Sequence, residues 1–379
     1  MKIVIAGAGD VGFHLAKLLS SEEHDIVLID CDQEVLDYAQ SHVDVLTLRG
    51  DSTSIKTLRE AGLKSTDLLI AATSSENVNI ITAVLGKRLG AKRTVARIQK
   101  DEYLLNGIQA EFRNVGIDAL ISPKQLASNE ICRLINEAAV TDMHEFENGK
   151  LFLIGIHLEA GSPILGASLA ETAHLNPDLA FRPIAIHRDD ATIIPRANTR
   201  FQADDHVYFI TCKGGIDQIL TNTGKKRVKI KKVMILGGSA IGLMTARQLE
   251  KQYQVKVIEK DREKCLQLAE SLNNTLIING DGGNVELLEE EGLADMDAFL
   301  ALTGNSETNI ISSLVARNHN VVKSIALVEN TDYIHLSQRV GVDTLINRKL
   351  IAANSPETTR QRYRPSMTRW RPIPTQATF

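Results

Sequence analysis

The sequence predicts an α/β protein in which two doubly wound parallel-sheet domains flank a small α+β domain. Three observations carry this. Short apolar runs without polar alternation are separated by amphipathic stretches across residues 1–137 and again across 229–354. Strands of that kind are buried on both faces and joined by helices, as in a parallel sheet. The two halves share landmarks at a period of roughly 230 residues, Thr73 answering Thr303 and Asn79 answering Asn309, which marks a domain duplication rather than a solenoid. Between them, residues 141–223 alternate or pair apolar positions around turn residues, the texture of antiparallel strands.

In the first half the strands read KIVIA, DIVLID, VDVLTL, DLLIAA, RTVARI and IDALI, with helices such as Val11–Ser20 and Asn77–Leu89 between them. Right-handed crossovers then wind the helices onto both faces of the sheet. A helix from Pro123 to about Ile135 follows the last strand. It is expected to cross to a neighbouring unit and make dimers, the alternative being an ordinary packed terminal helix. In the middle segment KLFLIGIHL, FRPIAIHRDD, ATIIP and DHVYFITC read as strands, ILGASLAETA as one helix, and His187–Asp190 as a polar hairpin turn. Thr221–Lys232 reads as a basic, solvated linker. The second half repeats the order as KKVMIL, YQVKVIE, TLIIN, DAFLAL, VVKSIAL and VDTLI. Residues 355–379, rich in Arg, Pro and Thr, read as a disordered tail standing where a second small domain would complete the repeat.

Composition narrows the function. The net charge of −4 provides no nucleic-acid footprint. No apolar run approaches the roughly 18 residues of a membrane span. The chain opens directly on a strand, so no signal peptide is expected and a cytoplasmic protein is the default. Cys31, Cys132, Cys212 and Cys265 lie far apart without a C-x-x-C pair, so neither a metal centre nor a disulfide framework is expected.

Chemistry concentrates at the first strand–helix junction. Gly7, Ala8, Gly9, Asp10, Val11 and Gly12 fit G-x-G-x-x-G between a strand and a helix. Gly7 allows the tight turn, Gly9 lets a pyrophosphate approach the backbone, and Gly12 lets helix and strand pack closely. The helix N-terminus then offers N–H groups to the phosphates. Asp30 ends the second strand 18 residues beyond Gly12, where a carboxylate accepts from an adenosine ribose and repels a 2′-phosphate, favouring NAD over NADP. The alternative is a nucleotide-free relic with a structural glycine turn.

The second half carries Gly237, Gly238, Ser239, Ala240 and Ile241, with Glu259 at the strand end. Ser239 adds a Cβ where pyrophosphate should approach, although its hydroxyl could donate to a phosphate oxygen. Thr73 and Ser74 end the fourth strand at the carboxyl edge, and Thr303 and Gly304 answer them. Asp51 follows the third strand, either to read adenine or ribose or as a carboxylate satisfied at a helix N-terminus. Arg97 sits in an apolar strand and needs a partner, a phosphate or a neighbouring carboxylate. Leu327 stands in its place in the second half, so the two sites should differ.

A dehydrogenase would need a group that manages a proton at the nicotinamide. His157, His174, His187 and His206 show no paired acid–base spacing, and G-x-S-x-G, G-K-[ST] and H-E-x-x-H are all missing. The residues read as binding without turnover.

MKIVIAGAGDVG, IVLID, RGDSTSIKTLREAG, DLLIAATSSENVNI, VARI and GIDALISP together resemble the N-terminal domain of the RCK (regulator of K⁺ conductance) family. The resemblance spans residues 1 to about 354. It implies two Rossmann-like RCK-N domains around a small RCK-C domain. It also implies a cytoplasmic homo-oligomer, peripheral to the inner face of the membrane and attached only through an integral-membrane, Trk-type potassium transporter that it gates. Its ligands would be NAD⁺ or NADH, with ATP or ADP at the same sites. Carried over by position, the contacts would be Gly7 to Val11, Asp30, Thr73, Ser74 and Arg97. In the second unit they would be Gly237 to Ile241, Glu259, Thr303 and Gly304. Ser239 and Leu327 depart from the pattern and weaken the second site. Two other functions compete, a nucleotide-sensing regulator of another cation channel or antiporter and an NAD-dependent oxidoreductase.

Overall fold

The computed structural model describes residues 1–353 except 22–23, 137–141, 147–148, 176–180, 190, 226–229, 330–332, 334–341 and 343. The tail read as disordered, Trp370 included, therefore lies outside the described residues. Two compact units emerge, one holding Met1–Pro123 and the residues from Lys349 onward, the other Lys124–Arg348.

The first unit is built on β1 (Lys2–Ala6), β2 (Asp25–Asp30), β3 (Leu46–Arg49), β4 (Leu68–Ala71), β5 (Arg93–Arg97) and β6 (Ala119–Ile121). They form one parallel sheet in the order β3-β2-β1-β4-β5-β6. Helices cover both faces of the central strands, so all four residues of β4 are buried, while the edge strand β3 is exposed to half-buried. Its helices are α1 (Asp10–Ser20), α2 (Gln33–His42), α3 (Ile55–Glu60), α4 (Glu76–Leu89) and α5 (Asn106–Asn114). Local chemistry sets their ends: Asp32 caps α2 and Ser75 caps α4, while Gly90, at φ 116°, stops α4. The strand order reverses between β1 and β4, and that switch point puts a crevice at the carboxyl edge.

The helix α6 (Pro123–Asn136) begins with proline at its first position, where the missing N–H costs nothing. The middle domain follows with β7 (Asp142–Phe146), β8 (Leu151–His157), α7 (Leu169–Leu175), β9 (Phe181–Arg188), β10 (Ala191–Ile193), β11 (His206–Thr211) and α8 (Ile216–Thr223). Its sheet is antiparallel, ordered β10-β9-β11-β8-β7. Phe152, Ile154, Ile156, Ile186, Val207 and Phe209 alternate onto one face and form its core. Asp189, at φ 47°, makes the polar turn between β9 and β10.

ILGASLAETA is not one helix: Gly166 is left-handed at φ 76°, and Ser168 bridges to Arg200. The helix starts only at Leu169, where Ser168 and Glu171 form a reciprocal capping box, Glu171 N–H to Ser168 Oγ at 3.2 Å and Ser168 N–H to Glu171 Oε2 at 2.7 Å. The basic linker is also shorter than expected, because Thr221–Thr223 still belong to α8 and Lys225 pairs with Glu159.

The second sheet repeats the first. Its strands are β12 (Lys232–Leu236), β13 (Gln254–Glu259), β14 (Thr275–Asn279), β15 (Ala298–Ala301), β16 (Lys323–Leu327) and β17 (Thr344–Ile346). All are parallel, in the order β14-β13-β12-β15-β16-β17. The helices are α9 (Ala240–Leu249), α10 (Arg262–Ser271), α11 (Val285–Glu290), α12 (Ser306–Asn318) and α13 (Arg348–Ala353). The helix α6, expected to cross to a neighbouring unit, packs on α9 of the second repeat. On α6, Ser128 Oγ lies 3.1 Å from Thr245 Oγ1 of α9 and accepts from Gln248 Nε2 at 3.0 Å. Tyr253 donates to Asn136 Oδ1 at 2.6 Å. The compact units therefore cut across the sequence order, with α6 in the second and the α13 residues from Lys349 in the first.

Candidate nucleotide site

In the first repeat the three glycines of the turn have different reasons to be glycine. Gly7 has φ 101°, and a Cβ there would meet Thr73 N at 2.7 Å. A Cβ on Gly12 would lie 1.7 Å from Gly7 O. Both are demanded by the chain itself, one by backbone sign and close approach, the other by packing of α1 on the turn. Gly9 is not. It is extended at φ −63° and ψ −175°, a conformation open to any residue, and nothing lies within 4 Å of its would-be Cβ.

Gly9 is also the N-cap of α1, and no side chain caps the helix. The first helical bond runs from Phe13 N–H to Gly9 O at 2.8 Å. The N–H groups of Asp10, Val11 and Gly12 precede that ladder and face the open side of the turn with the helix dipole behind them. Asp30 borders the same space. One carboxylate oxygen accepts from Ala8 N–H at 2.6 Å and the other from Asp32 N–H at 3.0 Å. These two bonds hold the carboxylate at the turn while each oxygen keeps lone-pair capacity for a hydroxyl.

Across the crevice, Thr73 is held by a residue that the sequence showed only as a repeat landmark. Asn79 is 1% exposed. Its Oδ1 accepts from Thr73 N–H at 2.8 Å and Thr73 Oγ1 at 2.7 Å, and its Nδ2 donates to Thr73 O at 3.0 Å and Arg97 O at 2.9 Å. The amide thus ties the end of β4 to the end of β5. The available signal was its recurrence, because Asn309 makes the same four bonds to Thr303 and Leu327. Ser74 is exposed beside Thr73. Arg97 ends β5 and lines a small cavity with Val11 and Leu15.

Asp51 lies at the end of β3 with its side chain turned to its own loop. Its Oδ1 accepts from Thr53 N–H at 2.7 Å and Thr53 Oγ1 at 2.8 Å, and those bonds hold its pKa below the ordinary carboxylate value. The N-cap of α3 is Ser54, three residues on, so Asp51 is held by its own turn rather than by the helix.

The second repeat keeps the frame and changes the surface. Gly237 (φ 103°) and Gly242 meet the same backbone atoms as Gly7 and Gly12. Ser239 caps α9, accepting from Gly242 N–H at 3.2 Å and donating to Leu302 O at 2.8 Å. The hydroxyl expected to serve a phosphate oxygen is therefore engaged inside the protein, and it occupies an N–H group that the first repeat leaves open. Glu259 accepts from Gly238 N–H at 2.7 Å and Asp261 N–H at 2.9 Å, but its extra methylene draws it inward to 8% exposure. Leu268 packs beside it, 2.5 Å from a would-be Cβ on Gly238. Ala240 and Ile241 open α9, Thr303 and Gly304 stand at the opposite edge, and Leu327 supplies no charge there.

In the middle domain the topology brings His157, His206 and His187 into direct cross-strand register on the face opposite the core. Burial lowers the pKa of His157, although Asp204 lies 3.6 Å away. All four cysteines are unpaired. Among the described residues there is no cluster of metal-ligating side chains, and no helix is long and apolar enough to cross a membrane.

The sequence model of the TrkA-N domain matches residues 3–123 and again 233–348, and that of the TrkA-C domain matches 153–224. The chain belongs to the TrkA family. It is 35% identical over 348 residues to the Trk system potassium uptake protein TrkA of Halomonas elongata, covering 92% of this chain and 76% of that protein. With the TrkA protein of Haemophilus influenzae the identity is 33% over 357 residues, 94% of this chain and 78% of the relative. Among solved structures, the GsuK RCK domain superposes with a TM-score of 0.65 at 16% identity, over 93% of this chain and 75% of that one. The GsuK channel bound to NAD gives 0.66 at 16%, over 93% and 62%. The TrkA-N matches coincide with the two parallel sheets, and the TrkA-C match spans most of β8 through α8 of the middle domain, leaving β7 outside. At such low identity the GsuK structures speak for the fold.

Proposed function

We propose that the chain is a nucleotide-binding regulatory subunit that gates an integral-membrane potassium uptake transporter of the Trk type. In sequence terms its modules run over residues 1–137, 141–223 and 229–354. The single observation that carries the reading is Gly9, a glycine that no atom of the described residues requires, set at an uncapped helix N-terminus beside the Asp30 carboxylate. A ligand phosphate accounts for the missing Cβ, the open N–H groups and the ribose acceptor together. The preferred ligands are NAD⁺ and NADH, with ATP and ADP at the same site, since Asp30 suits any adenosine ribose.

Binding without turnover suits a switch in which nucleotides stabilise one of two arrangements of a homo-oligomer, reaching the membrane through its transporter partner. The TrkA names of the relatives support the potassium system as the target. Calorimetry with NAD⁺, NADH, ATP and ADP tests the reading, with NADH absorbance followed in parallel. Saturable binding with unchanged absorbance is expected. No binding by any of the four refutes the regulatory site, and NADH oxidation refutes the non-enzymatic role.

A further inference from the structure

We propose that Lys349, carried by α13 beyond the second repeat, makes the first repeat's glycine turn acceptable to a phosphate by neutralising Asp10. The inference rests on the nucleotide reading above. Asp10 directly follows Gly9 and is the first residue of α1. An acid at that place favours the bare helix dipole but repels a phosphate drawn to the same N–H groups. Lys349 Nζ lies 2.8 Å from Asp10 Oδ2.

The ammonium is delivered from an anchored position. The Lys349 side chain is 20% exposed where that of Asp10 is 74% exposed, so the lysine is fixed and the acid faces solvent. Three residues on, Ala352 is 1% exposed and lines the cavity at the carboxyl edge with Val11, Leu15 and Arg97. His14, one turn beyond Asp10, has its pKa lowered by burial first and then by Lys17 and Lys349, which sets the Lys349 charge on this face of α1. The second repeat has Ala240 where the first has Asp10, so no acid stands on its turn. Lys349 is a positioning residue: it acts through Asp10, and the first site draws on chain that follows β17.

The test is calorimetry of ADP and of adenosine on the full chain, as wild type, Lys349→Gln, Lys349→Arg, Asp10→Asn and the double variant Asp10→Asn/Lys349→Gln. Lys349→Gln should weaken ADP about three- to tenfold, the range of one uncompensated charge at a helix N-terminus. The loss should shrink as salt rises. Adenosine, which has the ribose but no phosphate, should bind the variant as it binds wild type, and Lys349→Arg should retain ADP. The double variant should return to within about twofold of wild type, because the two changes are coupled. Wild-type ADP affinity in Lys349→Gln overturns the proposal. So does a double variant as weak as Lys349→Gln, which would mean direct contact or structural damage. A wild-type protein that binds neither ADP nor NADH overturns the nucleotide reading and this proposal with it.

Discussion

Replacing Gly9 by alanine separates a glycine kept for a ligand from one kept for the fold. The Gly9 backbone, at φ −63° and ψ −175°, is ordinary for alanine, and its added Cβ meets nothing within 4 Å. Removing glycine from such a site restricts the unfolded chain, so the variant should be as stable as wild type or more so by about 0.4–1 kcal/mol. Nucleotide binding should suffer, because the new methyl occupies the approach to the open N–H groups of α1. Losing even one charge-assisted hydrogen bond costs about 1.5–3 kcal/mol, roughly a ten- to hundredfold loss of affinity.

Gly12→Ala is the contrast. Its Cβ would fall 1.7 Å from Gly7 O, a backbone atom that cannot move without shifting the turn, so stability itself should drop. Denaturant unfolding and calorimetry on the two variants check both halves. Intact nucleotide affinity in Gly9→Ala, or a loss of its stability, would mean that Gly9 is not kept for a ligand.

Further outcomes follow from the same geometry. Asn79→Ala strands Thr73 N–H, Thr73 O and Arg97 O and should cost about 2–4 kcal/mol, read as a lower denaturation midpoint. Ser239→Gly releases the Gly242 N–H and should tighten nucleotide binding at the second repeat while costing only a few tenths of a kcal/mol as a cap, measurable by calorimetry in a Gly9→Ala background. Burial, with help from His206 and Lys225 and against Asp204, lowers the pKa of His157. The folded state then binds fewer protons than the unfolded chain, whose imidazole titrates at about 6.5. The stability this contributes is full above that pH and is lost as pH falls through the folded pKa. His157→Gln should flatten the acid side of a stability–pH curve, and an unchanged slope would count against it.

Much of this was legible in the residues. The duplicated strand runs, the two glycine turns and the acid ending β2 and β13 are local patterns, and the parallel sheets place them where spacing predicted. What escaped depends on contacts between distant positions. Ser239 looked available because a hydroxyl's partner, here the carbonyl of Leu302, cannot be read from its neighbours. Asn79 was visible as a landmark, but its clamp joins the ends of two strands. The true start of α7 turned on the left-handed Gly166 and the Ser168–Glu171 box within a segment that looks uniformly helical. The destination of α6 was open because its apolar face suits any α9-like surface, and Lys349 gave no signal at all, being remote from the turn in sequence.

Nucleotide gating can be read as potassium flux into proteoliposomes holding a Trk-type transporter, with this protein added and NAD⁺, NADH, ATP or ADP titrated. Flux should change with nucleotide, the response should be blunted in Gly9→Ala, and the nucleotide should be recovered chemically unchanged. Flux indifferent to every nucleotide, at concentrations where calorimetry shows the site filled, would contradict nucleotide gating.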